Sequence, residues 1–217
     1  MRDSSIRLRT WVSVGIILFV MLADQAIKFR VKTSMLLHES YRVTDWFQIC
    51  FTENKGMAFG MDFIGTVFLT VFRILAVIFF CFMLSRFIRR CYPMGFIVCL
   101  SMIVAGAAGN IIDNCFYGLI FTESAPAFSS LFAGPASLVE WGDGYGEFLS
   151  GRVVDMFYFP LFTWPDWIPL VGGDVFFGAI FNFADASISC GAVALLLFYH
   201  KYLTGDSFRF DNNKSEA

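Results

Sequence analysis

Four long runs of apolar residues alternate with polar segments along the chain and predict four membrane-spanning helices. Each run is close to the ~20 residues that a helix needs to cross a bilayer. Backbone polar groups in hydrocarbon must be satisfied internally, which favours helices. The runs cover residues 11–29, 67–85, 93–112 and 175–197. With flanking turns, we expect helices at about 11–29, 67–90, 93–113 and 175–200 in a single membrane domain of residues 1–217.

The segment between the first two helices has a different pattern. Phe47, Ile49 and Phe51 alternate with polar or small neighbours, and this period of two is typical of a strand. We therefore expect a β segment at about 38–60. Residues 114–174 are rich in glycine, proline and aromatic residues and have no clear period, which predicts a long loop, and loops of that length are usually functional.

Basic residues near the helix ends predict the orientation of the chain. Four spans bring three basic clusters to one side, and such clusters are typical of the cytoplasmic side. They are Arg2, Arg7 and Arg9; Arg86, Arg89 and Arg90; and Lys201, Arg209 and Lys214. We expect both termini in the cytoplasm and the two long segments outside.

Composition agrees with a membrane protein and excludes several other classes. The 217 residues are 57% hydrophobic and only 16% charged, whereas soluble domains carry roughly 25% charged residues. The 16 Lys and Arg against 18 Asp and Glu leave no basic surface for a nucleic acid.

The polar residues of the helices share one depth, near the outer ends. Ionisable groups in a membrane are costly and therefore mark functional sites. Asp24 and Lys28 are four residues apart, which places them on one helix face. The segments N-x-x-D at 110–113 and 182–185 each pair an asparagine with an aspartate on one face. The alternative explanation is that these groups only bind neighbouring helices together.

The available side chains narrow the chemistry to carboxylates. The chain has two histidines and six cysteines without metal-ligand spacing, and it lacks H-E-x-x-H, G-x-S-x-G and P-loop motifs. We therefore expect no metal and no cofactor. The candidates that remain are Asp24, Asp113, Asp155 and Asp185. Two close carboxylates cannot both ionise, so one serves as acid and the other as base toward water.

Five segments in order resemble the lipoprotein signal peptidases, the signal peptidase II family of membrane aspartic proteases. They are D-Q-x-x-K at 24–28, N-K-G-M-A-F-G at 54–60, G-N-I-I-D at 109–113, V-V-D-M at 153–156 and F-N-F-A-D at 181–185. Each alone is weak, but five in order are specific. The resemblance implies an all-α membrane protein with four transmembrane helices, and a small β-sheet and a long loop on the outer face.

The resemblance also implies roles for individual residues. It assigns the catalytic pair to Asp155 and Asp185, with Asp155 in a loop before helix four. Supporting or substrate-binding roles fall to Asp24, Lys28, Asn54, Gly56, Asn110, Asp113 and Asn182. The implied substrate is a prolipoprotein cut N-terminal to its diacylglyceryl-modified cysteine in a bacterial cytoplasmic (inner) membrane. The family resemblance further implies contact with membrane lipid and inhibition by globomycin-like cyclic peptides.

The sequence departs from the family pattern in two places. The arginine that usually follows the aspartate of G-N-x-x-D is Asn114 here, so that charge is lost or comes from Arg73 or Arg152. About thirty extra residues, 119–150, precede the V-V-D segment, and they either cover the active site or contact other envelope proteins. The alternatives are another intramembrane aspartyl protease, of presenilin or prepilin-peptidase type, and a small ion-coupled transporter.

Overall fold

The computed structural model describes residues 2–54, 63–128 and 134–203. Gly56 of the expected site and Arg209 and Lys214 of the third basic cluster lie outside these ranges. The helices are α1 (Arg2–Lys32), α2 (Phe63–Arg89), α3 (Met94–Ile112), α4 (Gly118–Ile120), α5 (Phe183–Phe198) and α6 (His200–Leu203), with a π-helical turn at Asp113–Tyr117 that continues α3 into α4. The strands are β1 (Ser40–Arg42), β2 (Gln48–Asn54), β3 (Val153–Tyr158), β4 (Phe162–Thr163) and β5 (Val175–Phe176).

The helices account for the predicted membrane spans. In the described ranges, α1, α2 and α3 with its extension to Ile120 are long and apolar enough to cross a membrane, and α5 is apolar with 16 residues. The expected fold class, a mostly helical membrane protein with a small antiparallel sheet, is therefore confirmed.

The sheet is built from β1, β2 and β3 in that order, all antiparallel. The alternation at residues 47–52 correctly indicated β2. Asp155, however, lies in β3 and pairs with Thr52, so the expectation of a loop there was wrong. The neighbours of Asp155 are buried apolar residues, Val154 and Met156, and Asp155 is itself buried, so β3 runs through the protein interior.

Helix four begins later than expected. The apolar run from residue 175 starts with β5, and α5 begins only at Phe183. Asn182 has extended backbone angles and caps the helix. Hydropathy cannot separate the strand from the helix, because both are apolar here.

Close packing of α3 on α5 brings their polar residues together. A Cβ on Gly106 would lie 2.3 Å from the Ala184 carbonyl oxygen, and one on Gly109 would lie 2.9 Å from Asp24 Oδ2. Small residues let membrane helices approach closely. These two glycines therefore allow α1, α3 and α5 to meet where the expected site lies.

The opposite end of the bundle holds the first two basic clusters and Lys201 of the third. Arg9 Nε donates to the Tyr92 carbonyl oxygen at 2.8 Å, joining the start of α1 to the α2–α3 link. The ring of Tyr92 contacts Tyr202 of α6, with centroids 5.7 Å apart. The N-terminal helix, the α2–α3 link and α6 thus share one end.

Candidate active site

A buried lysine near the end of α1 binds three polar side chains. Lys28 Nζ lies 2.8 Å from Asp24 Oδ2, from Asp113 Oδ2 and from Asn110 Oδ1. The side chains of Lys28, Asp24 and Asp113 are fully buried. Buried charges persist when they are paired and hydrogen-bonded, and this lysine neutralises one of the two aspartates. Two of the pairs noted in the sequence, Asp24 with Lys28 and Asn110 with Asp113, thus meet at one ammonium group.

Asp113 also holds the strand that carries Asp155. Its Oδ2 accepts a hydrogen bond from the Val154 backbone N–H at 3.2 Å. Its Oδ1 accepts from Gln25 Nε2 at 2.8 Å. Through Asp113, the end of α3 fixes the position of β3 one residue before Asp155.

The start of α5 is fixed by side chains that include Asp185. Asn182 Oδ1 accepts from the Asp185 N–H at 2.8 Å, and Asp185 Oδ2 accepts from the Asn182 N–H at 3.4 Å, forming a capping box. Asp24 Oδ1 accepts from the Ala184 N–H at 2.9 Å. These bonds satisfy N–H groups that a helix start leaves free. Asp185 lies in the first turn, where the helix dipole favours negative charge.

Two asparagine amides connect Asp155 with Asp185. Asn182 Nδ2 donates to Asp155 Oδ1 at 2.6 Å and lies 3.1 Å from Asn110 Oδ1. Asn110 Nδ2 donates to Asp185 Oδ1 at 2.8 Å. The four side chains come from β3, α3 and α5. They form one hydrogen-bond network that holds the two carboxylates near each other without neutralising them.

The environment of Asp155 favours its protonated form. Its exposure is only 3%. Burial, and then the nearby charge of Asp185, raise the pKa of Asp155 from 3.8 to about 7, against the opposing effect of the Asn182 hydrogen bond. Asp185 is only partly buried. The two carboxylates therefore differ, with Asp155 suited to hold a proton and Asp185 open to a ligand.

Asn54 lies on the same sheet as Asp155. It ends β2 and pairs with Val153, two pairs along from Thr52 and Asp155. Because side chains two residues apart on a strand share a face, Asn54 and Asp155 lie on the same side of the sheet. Gly56, two residues later, lies outside the described residues.

Asn114 occupies the position where the family usually has arginine, and it is hydrogen-bonded by an arginine from α2. Arg73 Nη1 of α2 donates to Asn114 Oδ1 at 2.8 Å. Asn114 Nδ2 in turn donates to the Gly151 carbonyl oxygen at 2.8 Å. The second candidate, Arg152, instead pairs with Glu53 and Glu123. A guanidinium thus reaches Asn114 from α2.

Sequence reasoning missed two parts of the site. Gln25 was left out of the site residues, yet it binds Asp113 and accepts from Tyr117 Oη at 3.1 Å. An ion cluster on the face of the sheet away from Asp155 was also missed. Its buried members are Lys32, Glu53 and Ser124, and it extends through Arg152 to the exposed Glu123. Their spacing in sequence, from 32 to 152, gives no local signal.

The ion cluster attaches the extra segment to the rest of the molecule. Lys32 Nζ contacts Glu53 and lies 3.0 Å from Ser124 Oγ. Burial alone would raise the pKa of Glu53, but the Lys32 ammonium and hydrogen bonds from Lys32, Ser124 and Arg152 lower it below its usual value. The described part of residues 119–150 is therefore held against α1 and β2. Within the described ranges, no group of three or more His, Cys, Asp or Glu side chains is placed to hold a metal ion.

Comparisons with known proteins agree with this arrangement. A family model described as signal peptidase (SPase) II matches residues 16–201. A lipoprotein signal peptidase of Porphyromonas gingivalis is 46% identical over 193 residues, covering 87% of this chain and 82% of the relative. One from Amoebophilus asiaticus is 32% identical over 199 residues, covering 87% and 78%.

Solved structures show the same fold. A bacterial membrane enzyme determined by the in meso method has a TM-score of 0.56 at 24% identity, with 85% of this chain and 90% of that chain covered. With a family model matched over most of its length and a curated relative at 46% identity, the chain belongs to the signal peptidase II family.

Proposed function

We propose that this multi-pass membrane enzyme is a lipoprotein signal peptidase in which Asp155 and Asp185 form the catalytic dyad. The observation that carries the proposal is the network of Asn182 and Asn110, which holds a buried carboxylate and a partly exposed one together. The names of the relatives, lipoprotein signal peptidases, support the substrate class. The substrate is then a prolipoprotein with a diacylglyceryl-modified cysteine.

The two carboxylates take different roles in the hydrolysis. Asp185 removes a proton from water, and the oxygen attacks the scissile carbonyl carbon while Asp155 gives its proton to the carbonyl oxygen. The resulting gem-diol returns a proton to Asp155 as the C=O bond reforms. Asp185 gives its proton to the leaving nitrogen, and the C–N bond breaks. The cycle ends with Asp155 protonated and Asp185 ionised, as it began.

Lys28, Asp24, Asp113, Asn110 and Asn182 support this chemistry. Lys28 cancels one of the two negative charges behind the dyad, and Asp113 fixes β3. Asn110 and Asn182 orient the carboxylates through groups that do not titrate. Asn54, the last residue of β2, and Gly56 belong to the family's N-K-G-M-A-F-G motif, which supports a substrate-binding role for both.

Membrane orientation follows from charge. The bundle end away from the dyad gathers the first two basic clusters and Lys201, and the positive-inside rule favours the cytoplasm for that end. The dyad then faces the outer side of the cytoplasmic membrane, where the diacylglyceryl group anchors the scissile bond. A phosphatase reporter fused after Ala217 should be inactive and a cytoplasmic reporter active; the reverse result would contradict this orientation.

The dyad is tested with the full-length protein and a synthetic prolipoprotein peptide. Asp155→Asn and Asp185→Asn should each remove nearly all cleavage at the diacylglyceryl cysteine, since asparagine cannot exchange the proton. Asp143→Asn, on the exposed part of the 119–150 segment, is the matched control and should keep parental turnover. Mass spectrometry identifies the cut bond. Parental activity in either dyad variant, or equal cleavage of the unmodified peptide, would contradict the proposal.

Inhibitor binding provides a second test. A globomycin-like cyclic peptide whose hydroxyl lies between the two carboxylates should compete with the substrate. Asp185→Asn should weaken its binding more than Asp143→Asn does. Chelators should leave the turnover unchanged; zinc-reversible loss of activity on adding a chelator would argue against an aspartic mechanism.

A further inference from the structure

The chain that enters β3 is held by the π-helical turn at the end of α3. The Asn114 carbonyl oxygen accepts from the Gly151 N–H at 2.9 Å, and Asn114 Nδ2 donates to the Gly151 carbonyl oxygen at 2.8 Å. A Cβ on Gly151 would lie 2.1 Å from the Asp113 carbonyl oxygen, so this contact requires glycine. With the bond from the Val154 N–H to Asp113 Oδ2, the turn holds the chain on both sides of the start of β3.

The N–H group between these two anchors is bound by a tyrosine of the extra segment, residues 119–150. The Arg152 N–H donates to Tyr145 Oη at 2.8 Å. Tyr145 is half-buried, and the centroid of its ring lies 4.9 Å from Lys32 Nζ and 4.9 Å from Arg152 Cζ. Cations at this distance from an aromatic ring are attracted to it. The two cations therefore restrain the ring, and with it the hydroxyl group that accepts the bond.

The backbone of Tyr145 is fixed on the helical stretch that follows the π-helical turn. Its N–H donates to the Phe121 carbonyl oxygen at 2.9 Å, and the Gly146 N–H donates to the Gly118 carbonyl oxygen at 2.8 Å. A Cβ on Gly144 would lie 2.1 Å from the same Gly118 oxygen, so the close approach depends on glycine here. The tyrosine and the turn thus hold the entry to β3 from one connected stretch of chain.

The start of α5 holds β3 on the other side of Asp155. The Phe181 carbonyl oxygen accepts from the Met156 N–H at 3.2 Å and from the Phe157 N–H at 2.7 Å. Asp155 therefore lies between two sets of anchors, and its distance from Asp185 depends on both. The set before Asp155 includes a group from the extra segment.

We propose that Tyr145 is a positioning residue of the enzyme, whose hydroxyl group binds the Arg152 N–H and holds the start of β3 so that Asp155 stays within reach of Asp185. The proposal rests on the proposed dyad. It gives the extra segment a part in the reaction, through the strand that carries Asp155.

Tyr145→Phe tests this role, because it keeps the ring and its two cation contacts but removes the acceptor of the Arg152 N–H. A small displacement of a reacting group can cost about 100-fold in rate, so kcat should fall by about ten- to 100-fold. KM should stay within about twofold, since binding of the substrate is left in place. Tyr41→Phe, on the exposed strand β1, is the matched control and should keep parental kcat and KM.

The pH profile of kcat separates positioning from a general loss of structure. Burial is the main cause that raises the pKa of Asp155 to about 7. A loosened strand admits water, which lowers this pKa, and the alkaline limb of the Tyr145→Phe profile should move to lower pH. The substitution leaves the other charges that act on Asp155 in place; they are Asp185, Lys28 and Asp113.

Hydrogen exchange of single amides tests the contact without any substrate. In the parental protein the Arg152 amide should exchange at least about tenfold more slowly than that of the exposed Phe148. In Tyr145→Phe the exchange at Arg152 and Val154 should be faster than in the parent. This measurement does not need a cleavable peptide, so failure of the parent to cut a prolipoprotein peptide would count against the proposed dyad alone.

Three results would overturn the positioning role. They are parental kcat in Tyr145→Phe, a lower kcat with an unshifted alkaline limb, and an Arg152 amide that exchanges as fast as that of Phe148 in the parental protein. Thermal unfolding verifies that the variant is folded. The exchange of the parental protein keeps the proposal testable even without a folded variant.

Discussion

At the scale of single residues, the two dyad carboxylates are made unequal by their surroundings. Asp155 is a buried residue of β3, and burial and the charge of Asp185 raise its pKa to about 7. Asp185 lies at a helix start and is partly open. In the proposed dyad, this difference provides an acid and a base from identical side chains.

The folding stability of the protein should depend on pH through the protonation of Asp155. Its pKa rises from 3.8 to about 7 on folding, so the folded protein binds the proton more tightly. This contribution to stability is complete below pH ~4 and is lost as the pH rises through about 7. Asp155→Asn lacks this loss and should be more stable than the parent at pH 8, by on the order of a few kcal/mol. Thermal unfolding at pH 5 and 8 measures it; parallel pH curves for the two proteins would contradict it.

Arg73 should act on the site through Asn114. Arg73→Ala removes the guanidinium that binds Asn114 Oδ1 and should lower turnover by roughly tenfold or more, since a hydrogen bond to a charged group contributes about 1.5–3 kcal/mol. Adding Asn114→Arg to Arg73→Ala supplies the charge from the family's usual position and should restore part of the turnover. Arg86→Ala, at the other end of α2, is the control. No rescue in the double variant would assign Arg73 a purely structural role.

At the scale of elements, the first turn of α5 combines a helix cap with the dyad. Asn182 caps the helix through Oδ1 and orients Asp155 through Nδ2. The helix start and the active site thus depend on the two ends of one amide group.

Two substitutions at Asn182 should separate these functions. Serine keeps a cap oxygen but has no amide to donate to Asp155, whereas alanine lacks both. Asn182→Ala should lose about 1 kcal/mol of stability from the cap, while Asn182→Ser should unfold near the parental temperature. Both should lower turnover, though less than Asp155→Asn does. Full activity in the serine variant would exclude the orienting role.

The sequence predicted the helices and one strand but not the way they meet. Long apolar runs and the alternation at 47–52 are local signals, and they indicated α1, α2, α3 and β2. The true start of α5 was missed because β5 is as apolar as a membrane helix. Asp155 came only from family resemblance, since its partners, Thr52 and Asn182, are distant in sequence. Long-range pairing leaves no periodic trace along the chain.

At the scale of the whole molecule, the buried ion cluster joins four distant segments. Lys32 ends α1, Glu53 lies in β2, Ser124 belongs to the extra segment and Arg152 precedes β3. The cluster therefore couples the sheet that carries Asp155 to the membrane bundle.

Removing one charge of the buried Lys32–Glu53 pair should destabilise the protein more than removing both charges. Glu53→Gln leaves the Lys32 ammonium buried without its carboxylate partner. Breaking a buried ion pair in this way lowers the free energy of unfolding by roughly 3–5 kcal/mol. Lys32→Met combined with Glu53→Gln should recover much of this loss. Thermal unfolding of the single and double variants gives the coupling. Equal loss in both proteins would mean that Lys32 finds another partner.

The capping box at Asn182 and Asp185 has a consequence for the evolution of drug resistance. A compound that binds only Asp185, Asn182 and the backbone of this helix turn contacts groups that hold the helix start and that, in the proposed dyad, also carry the hydrolysis. A substitution that weakens the binding of such a compound would also remove the helix cap or inactivate the enzyme. Resistance would then have to arise from changes in expression or uptake, whereas compounds that depend on contacts with the exposed part of the 119–150 segment would leave escape by point mutation open.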